Sequence, residues 1–342
     1  MRNVFVVLAG IILVVIGYFV FVNGGEGDVV IYVSHDQDYS EPIINRCEKE
    51  LGISVKSVYD TEANKTVGLA NRLISEKDNP QADVFWNNEV IRSVQLKNED
   101  VLQPYEPIHG SDIPSTYKDD EYYWTGFAAR LRILLVNTEM LDPSMYPNSI
   151  FNLLSSSYSE SVAMANPLFG TTGTHLASWY SVLGAEDTEN YLSQLSDLGL
   201  TIAESNGQVR DLVADGELPI GFTDTDDAND AIMDGKPVEI IIPDQDEGSI
   251  GTLVIPNTIM LIKGSPHEEN GKDLINCILS PETEAELAQS KYAQLPLLPN
   301  VEGPSILPDI YEINAMEVIW GDVAIQLENM QSYVEDVLLS GK

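Results

Sequence analysis

Residues 218–230, LPIGFTDTDDAND, run from a short apolar segment into Thr223, Asp224, Thr225, Asp226 and Asp227. Carboxylates this closely spaced support three kinds of chemistry. They hold a hard cation such as Fe(III), Ca(II), Mg(II) or Mn(II) through oxygen donors. They grip an amine or the hydroxyls of a small organic solute. They also cap a helix, here one beginning near Asp227. Complementary charge is found at Arg130 and Arg132, which alternate with apolar residues in TGFAARLRILLVN and so share one face of a strand. An anion and a buried ion pair explain these two arginines equally well. A Gly/Thr-rich turn with Thr171, Thr172, Gly173 and Thr174, and a second helix start at Asn206 and Gly207, offer N–H groups and hydroxyls to an oxyanion. A plain Thr cap is the competing account.

The elements that must position these groups follow from hydrophobic periodicity. DVVIYVS reads as a strand, YSEPIINRCEKELG as an amphipathic helix closed by Gly52, ISVKSVYD as a strand, TVGLANRLISEK as a helix and ADVFW as a strand. This alternation predicts a sheet of parallel strands covered by helices, with ligands bound beyond the carboxyl ends of the strands. The loops expected there carry His35, Asp36, Gln37, Asp38 and Tyr39; a helix approach from Thr61; and Trp86, Asn87, Asn88 and Glu89. Trp86 and Tyr39 are expected to pack against an apolar part of the solute. Further on, VAMANPLFGTTGTHLASWYSVLG reads as strand, turn and helix, and the strand from Leu218 to Phe222 delivers the Asp cluster. The runs after Val238 read as a crossover returning the chain to the first half.

Composition bounds the rest. With 342 residues and 44% hydrophobic content, the chain can bury one large core or two ordinary ones. A formal charge of -36, from 54 acidic against 18 basic residues, excludes the broad basic face that nucleic acid requires. Residues 4–22 form an uncharged segment long enough to cross a bilayer, with Arg2 before it and Glu26 and Asp28 after it, which predicts an export or anchoring signal and an extracytoplasmic folded part. Cys47 and Cys277 each sit among apolar residues at helical spacing and read first as buried thiols, while the outside compartment permits a disulfide if their helices touch.

The ordered blocks VVIYVSHDQDYSEPI, ISVKSVYDTEANKTVGLANRLISEKDNPQADVFWNNE, NPLFGTTGTHLASWYSVLG, NGQVRDLVADGELPIGFTDTDDAN and GTLVIPNTIMLIKGSPHEENGKDLINCILSPETEAELAQS resemble the extracellular solute-binding proteins of ABC importers, nearest the ferric-iron branch. The resemblance implies an α/β, two-lobed type II periplasmic-binding-protein fold with a hinged cleft. Its implied units are a signal or anchor at 1–27, one lobe at 28–128 plus 254–304, and a second at 129–253 plus 305–342. It also implies a monomer that serves a permease and its ATPase from the outer face of the cytoplasmic membrane, or from the periplasm or extracellular space if the signal is cleaved. By the same resemblance His35 or Asp36 and Glu89 fill ligand places and Thr172, Gly173 and Thr174 match the loop for a synergistic anion; Arg130 and Asn206 are candidate anion-binding residues on the reading of the residues themselves. The family's adjacent metal-binding tyrosines are replaced by Thr225 and Asp226. The implied solute is Fe(III) or another hard cation, with Glu89 and Asp226 as ligands and carbonate or phosphate beside it. The alternative is a small organic anion or zwitterion such as a phosphonate or sugar phosphate.

An enzyme is the remaining class. DTDDA mimics the Asp-x-Asp start of metal-dependent phosphatases, but no later Lys and acid pair stands at a matching strand end. A G-x-S-x-G elbow, an H-E-x-x-H pair and a P-loop are all missing, and His35, His109, His175 and His267 suggest no Ser/His/Asp unit. No catalytic cofactor is expected.

Overall fold

The computed structural model describes residues 28–60 and 67–339. The expected anchor (residues 1–27) and the helix approach at Thr61 lie outside them. Among the described residues no helix is long and apolar enough to cross a membrane.

The first unit alternates as its periodicity predicts: β1 (Val29–Ser34), α1 (Gln37–Leu51), β2 (Val55–Tyr59), α2 (Gly68–Ser75), β3 (Val84–Asn87) and α3 (Ile91–Asn98). Strands β1, β2 and β3 are parallel. Helix α1 closes at Gly52, whose φ of 66° is the left-handed conformation that a residue without Cβ adopts freely. It begins at Gln37, so Asp38 and Tyr39 lie in its first turn rather than in a loop as expected. Pro42 lies inside the helix, just past its first turn, where it takes one backbone donor out of the helical ladder.

After β4 (Leu102–Gln103), the thirteen-residue strand β5 (Thr125–Asn137) is buried along its whole length. Its first part pairs with β10 (Val254–Ile262); its second pairs with β8 (Ile220–Asp224) and β9 (Val238–Ile241). Strands β6 (Val162–Ala165), β7 (Thr201–Ala203) and β8 are mutually parallel and complete the path β2-β1-β3-β10-β5-β8-β6-β7. The parallel expectation therefore holds within each half. It fails at the centre, where β10 runs antiparallel to β3 and β5, and β5 antiparallel to β8. The cause is connectivity: a strand that carries the chain back from the second half meets the first from the opposite direction.

The second half carries α4 (Gly170–Val182), α5 (Ala185–Asp197), α6 (Asn206–Ala214) and α7 (Thr225–Met233), while α8 (Glu268–Ile278) and α9 (Pro281–Gln289) cover the first. The closing helix α10 (Trp320–Asn329) ties back to the first half, its Trp320 indole donating to the Thr116 carbonyl at 2.8 Å.

Cys47 on α1 and Cys277 on α8 form a disulfide, their Cα atoms 5.8 Å apart. This corrects the buried-thiol reading: the two helices pack side by side over the first half, a contact that sequence spacing does not show. Because the bridge spans a separation of 230 residues, it restricts the unfolded chain strongly. The Cys47→Ser/Cys277→Ser double variant is expected to lose about 2–4 kcal/mol, read as a lower denaturant midpoint.

Candidate functional site

The site lies where β5 passes the carboxyl end of β8. Strand β8 ends at Asp224 and α7 starts at Thr225, so the Asp cluster occupies a strand-to-helix corner. Register pairs Arg132 with Asp224 directly. Alternation then puts Arg130 on the same face, two residues nearer the first half.

Asp224, Asp226 and Asp227 each bring a carboxylate oxygen within 4.8 Å of the others, the only such acidic group among the described residues. Their partners differ. Asp224 is 4% exposed; its Oδ1 accepts from Arg132 Nη1 at 2.7 Å, and its Oδ2 from Thr171 Oγ1 at 2.7 Å and Asn206 Nδ2 at 3.0 Å. It stands at the cap position of α7, but its side chain makes no cap bond. Arg132, 1% exposed, also donates to Asn206 Oδ1, Thr171 Oγ1, Thr172 Oγ1 and His175 Nδ1 at 3.2–3.3 Å. Burial and the adjacent guanidinium push the His175 pKa well below its usual value, so its ring stays neutral and accepts. Arg132 and Asp224 are thus a closed, satisfied pair.

Asp226 and Asp227 are less well served. Arg130, 4% exposed, sets Nη1 3.5 Å from Asp226 Oδ2 and Nε 3.8 Å from Asp224 Oδ2, while its Nη2 donates to the Asn88 carbonyl. Asp227 accepts from Thr223 Oγ1 at 3.2 Å and lies 3.8 Å from Arg210 Nη1. Burial raises the Asp226 pKa, with Asp224 adding to the rise and Arg130 opposing it. Burial first, then Asp226 and Asp224, push the Asp227 pKa well above its ordinary value, with Arg210 and the Thr223 hydrogen bond opposing the rise. The corner sets Asp224, Asp226 and Asp227 against Arg130, Arg132 and Arg210, the last of which is shared with Asp211 and Asp230.

Other expected site residues are placed differently. Thr225 is fully buried, and its Oγ1 accepts from Leu131 N at 3.2 Å, so it fastens α7 to β5. Glu89 lies outside the acidic group; its carboxylate accepts from Ile91 N at 2.5 Å, Arg92 N at 2.9 Å and Asn87 Nδ2 at 3.2 Å, capping α3. Thr174 Oγ1 reaches it from the second half at 3.5 Å. Thr172 and Asn206, expected to hold an anion, bond to each other at 3.0 Å and to Arg132. A Cβ on Gly173 would lie 2.9 Å from the Pro167 carbonyl, so only glycine permits this approach. His35 is buried with its ring 4.9 Å from Tyr39 and 5.7 Å from Trp86. Asp36 occupies the cap position of α1, its carbonyl accepting from Tyr39 N and Ser40 N. Trp86 is fully buried against Phe127 and belongs to the core, which corrects its expected role against solute.

Two neighbours of these residues carry no signal in the sequence: Tyr292 lies beside Tyr39, and Arg210 bonds Asp230 at 2.8 Å beside Asp227. KYAQLPLLPN carries no periodic signal that would single out Tyr292, which comes beside Tyr39 by tertiary packing.

The match to the family of bacterial extracellular solute-binding proteins spans residues 43–309. The chain belongs to that family. This solute-binding protein is 26% identical over 302 residues, 86% of each chain, to the putative 2-aminoethylphosphonate-binding periplasmic protein of Salmonella typhi. It is 24% identical, over 81% of this chain and 78% of the relative, to iron uptake protein A1 of Synechocystis. Among solved structures, iron-bound HitA from Pseudomonas aeruginosa superimposes with a TM-score of 0.79 at 21% identity, covering 90% of this chain and 98% of HitA. AfuA from Actinobacillus pleuropneumoniae with fructose-6-phosphate gives 0.76 at 19%, covering 91% and 99%. The α/β type II periplasmic-binding-protein fold expected from sequence is the fold of this chain. It is a solute-binding component of an ABC importer and not an enzyme.

Proposed function

We propose that this solute-binding protein captures a small zwitterion with an amine at one end and an oxyanion at the other, the aminoalkylphosphonate class being the leading candidate. The observation that carries the reading is the Arg130 guanidinium among the carboxylates, 3.5 Å from Asp226 and 3.8 Å from Asp224. A zwitterion exchanges partners with this internal pair: its oxyanion takes Arg130 and its ammonium takes the released carboxylates, so no buried charge is left uncompensated. The sequence similarity to the 2-aminoethylphosphonate-binding relative supports the same class. Fe(III) or another hard cation is the second reading, favoured by three carboxylates within 4.8 Å and by the iron-binding relatives. Against it stands the electrostatics: a metal ion would share its carboxylates with a fixed guanidinium, and both Asp224 oxygens are already bonded.

In this reading the lobes are 28–128 plus 254–304 and 129–253 plus 305–342, and they close on solute as a monomer. The Arg130 bond to Asn88 and the Thr174 contact with Glu89 are ties between them. Solute shifts the population toward the closed form, which a permease and its ATPase then read. Residues 1–27 hold the protein at the outer face of the membrane, or direct it to the periplasm. A thermal-shift series tests the ligand class, since a ligand of the native state raises the melting temperature. A rise with 2-aminoethylphosphonate and none with Fe(III) citrate is expected; the reverse would overturn the zwitterion.

A further inference from the structure

We propose that Glu284 is the clamp of the interlobe hinge: from outside the cleft, its carboxylate binds two of the segments that cross between the lobes and so favours their closed arrangement. The proposal rests on the division into lobes given above and not on the identity of the solute.

Three segments cross. Strand β5 leads from the first half to the second, residues 242–253 return the chain to β10, and residues 290–319, between α9 and α10, lead out again. At its crossing β5 is irregular. In the ladder with β10, Phe127 pairs with Asn257 and Ala129 with Pro256, so Ala128 is an extra residue, a bulge. Its φ of 43° lies in the left-handed region, uncommon for a residue that carries a Cβ.

Side chains take the place of ladder bonds at Ala128. Its N–H donates to Glu284 Oε1 at 2.9 Å, and its carbonyl accepts from Asn257 Nδ2 at 2.5 Å. Both side chains also reach the third crossing. Glu284 accepts from Leu297 N at 2.9 Å and Leu298 N at 2.7 Å, and Asn257 Nδ2 donates to Gln294 Oε1 at 2.9 Å. Beside them Ala129 and Leu295 exchange two backbone hydrogen bonds of 2.7 Å. Strand β5, strand β10 and the third segment are thus joined in a ring of hydrogen bonds, and Glu284, Asn257 and Gln294 are all buried.

A carboxylate suits this place as no amide does. Three N–H donors meet two oxygens, Oε1 taking Ala128 and Leu297 and Oε2 taking Leu298. An amide sets its own NH2 against one of them and leaves a buried donor unpaired. The bulge supplies the pivot, because β5 can bend at Ala128 without breaking a ladder pair. The ring coexists with the Arg130 bond to Asn88 and the Thr174 contact with Glu89, so it belongs to the closed arrangement.

Single-molecule energy transfer in the full chain in detergent tests this without solute, with dyes on unnatural residues at positions 56 and 193, where Lys56 and Ser193 are exposed on the two halves. Glu284→Gln is expected to move the solute-free population toward longer distances. It should also weaken 2-aminoethylphosphonate binding severalfold, since affinity falls with the fraction in the competent state. Gln294→Met, which breaks the ring at Asn257 and leaves the carboxylate in place, is expected to act the same way by less. Ala128→Gly is expected to broaden the distance distribution while melting no lower than the wild type, because glycine adopts a φ of 43° freely. A bulge with a merely structural role would change the melting temperature alone. If Glu284→Gln does not fold, the other two variants decide. Folded variants whose distances match the wild type overturn the clamp; where bound solute still moves the wild-type distance, the lobes stand without it. Absence of 2-aminoethylphosphonate binding overturns the zwitterion reading alone, and the solute-free distances still decide the clamp.

Discussion

Replacing Asp224 with Ala is expected to destabilise the fold by about 3–5 kcal/mol, the range for removing one partner of a buried ion pair. Arg132 is 1% exposed, so its guanidinium depends on the partners it meets inside the protein. Without Asp224 it retains only the neutral acceptors Asn206, Thr171, Thr172 and His175. Thr171 and the Asn206 amide lose their own acceptor at the same time. Equilibrium urea unfolding provides the measurement, and a loss below about 1 kcal/mol would mean that the pair contributes no more than an exposed one. Replacing both partners together, as Arg132→Met with Asp224→Leu, is expected to recover most of the loss, because no buried charge is then left alone.

Asp226→Asn is expected to do the opposite: to stabilise the solute-free protein at neutral pH while weakening solute binding by tenfold or more, about 1.4 kcal/mol or above. The sign follows from proton linkage. Burial and Asp224 raise the Asp226 pKa in the folded state above its ordinary 3.8, so the native protein binds that proton more tightly than the unfolded chain does. The ionised group therefore penalises the fold above the raised value, and stability returns as pH falls through it toward 3.8. Asp227 has the same sign for the same leading cause, burial. Melting temperatures between neutral pH and the ordinary carboxylate range should rise on acidification in the wild type. The rise should be smaller in Asp226→Asn, and the difference between the two removes the background from the remaining acidic residues. A variant that melts below the wild type at neutral pH, or binds 2-aminoethylphosphonate unchanged, would show that Asp226 is a scaffold group like Asp224.

These opposed expectations distinguish neighbours that look alike in the sequence. Asp224, Thr225, Asp226 and Asp227 are consecutive, yet Asp224 meets Arg132 at 2.7 Å, Thr225 fastens α7 to β5, and Asp226 and Asp227 stand 3.5 and 3.8 Å from Arg130 and Arg210. The same division separates Arg130 from Arg132. Alternation placed both on one face, but their distances to the carboxylates decide that Arg132 is fully engaged while Arg130 Nε still lacks a hydrogen bond. Glu89 repeats the lesson: its position after β3 resembles a ligand place, and its carboxylate is occupied by the first N–H groups of α3.

What the sequence determined by itself is what local forces control. Periodicity set the strands and helices of both halves, and the termination of β8 in a run of Asp put that run at a strand end, where α/β proteins bind ligands. The ordered blocks of the chain were enough to indicate the family. Tertiary structure decided whatever depends on meetings between residues far apart in the chain. Arg132 finds Asp224 across 92 residues, Cys47 finds Cys277 across 230, and Tyr292 reaches Tyr39 because α9 and the Glu284 carboxylate hold its segment against β5. Such contacts arise from packing of whole elements, and the pattern of any one segment contains no record of its distant neighbour. That is why the acidic corner was legible as a candidate site from its residues alone, while the partners of each carboxylate required the fold.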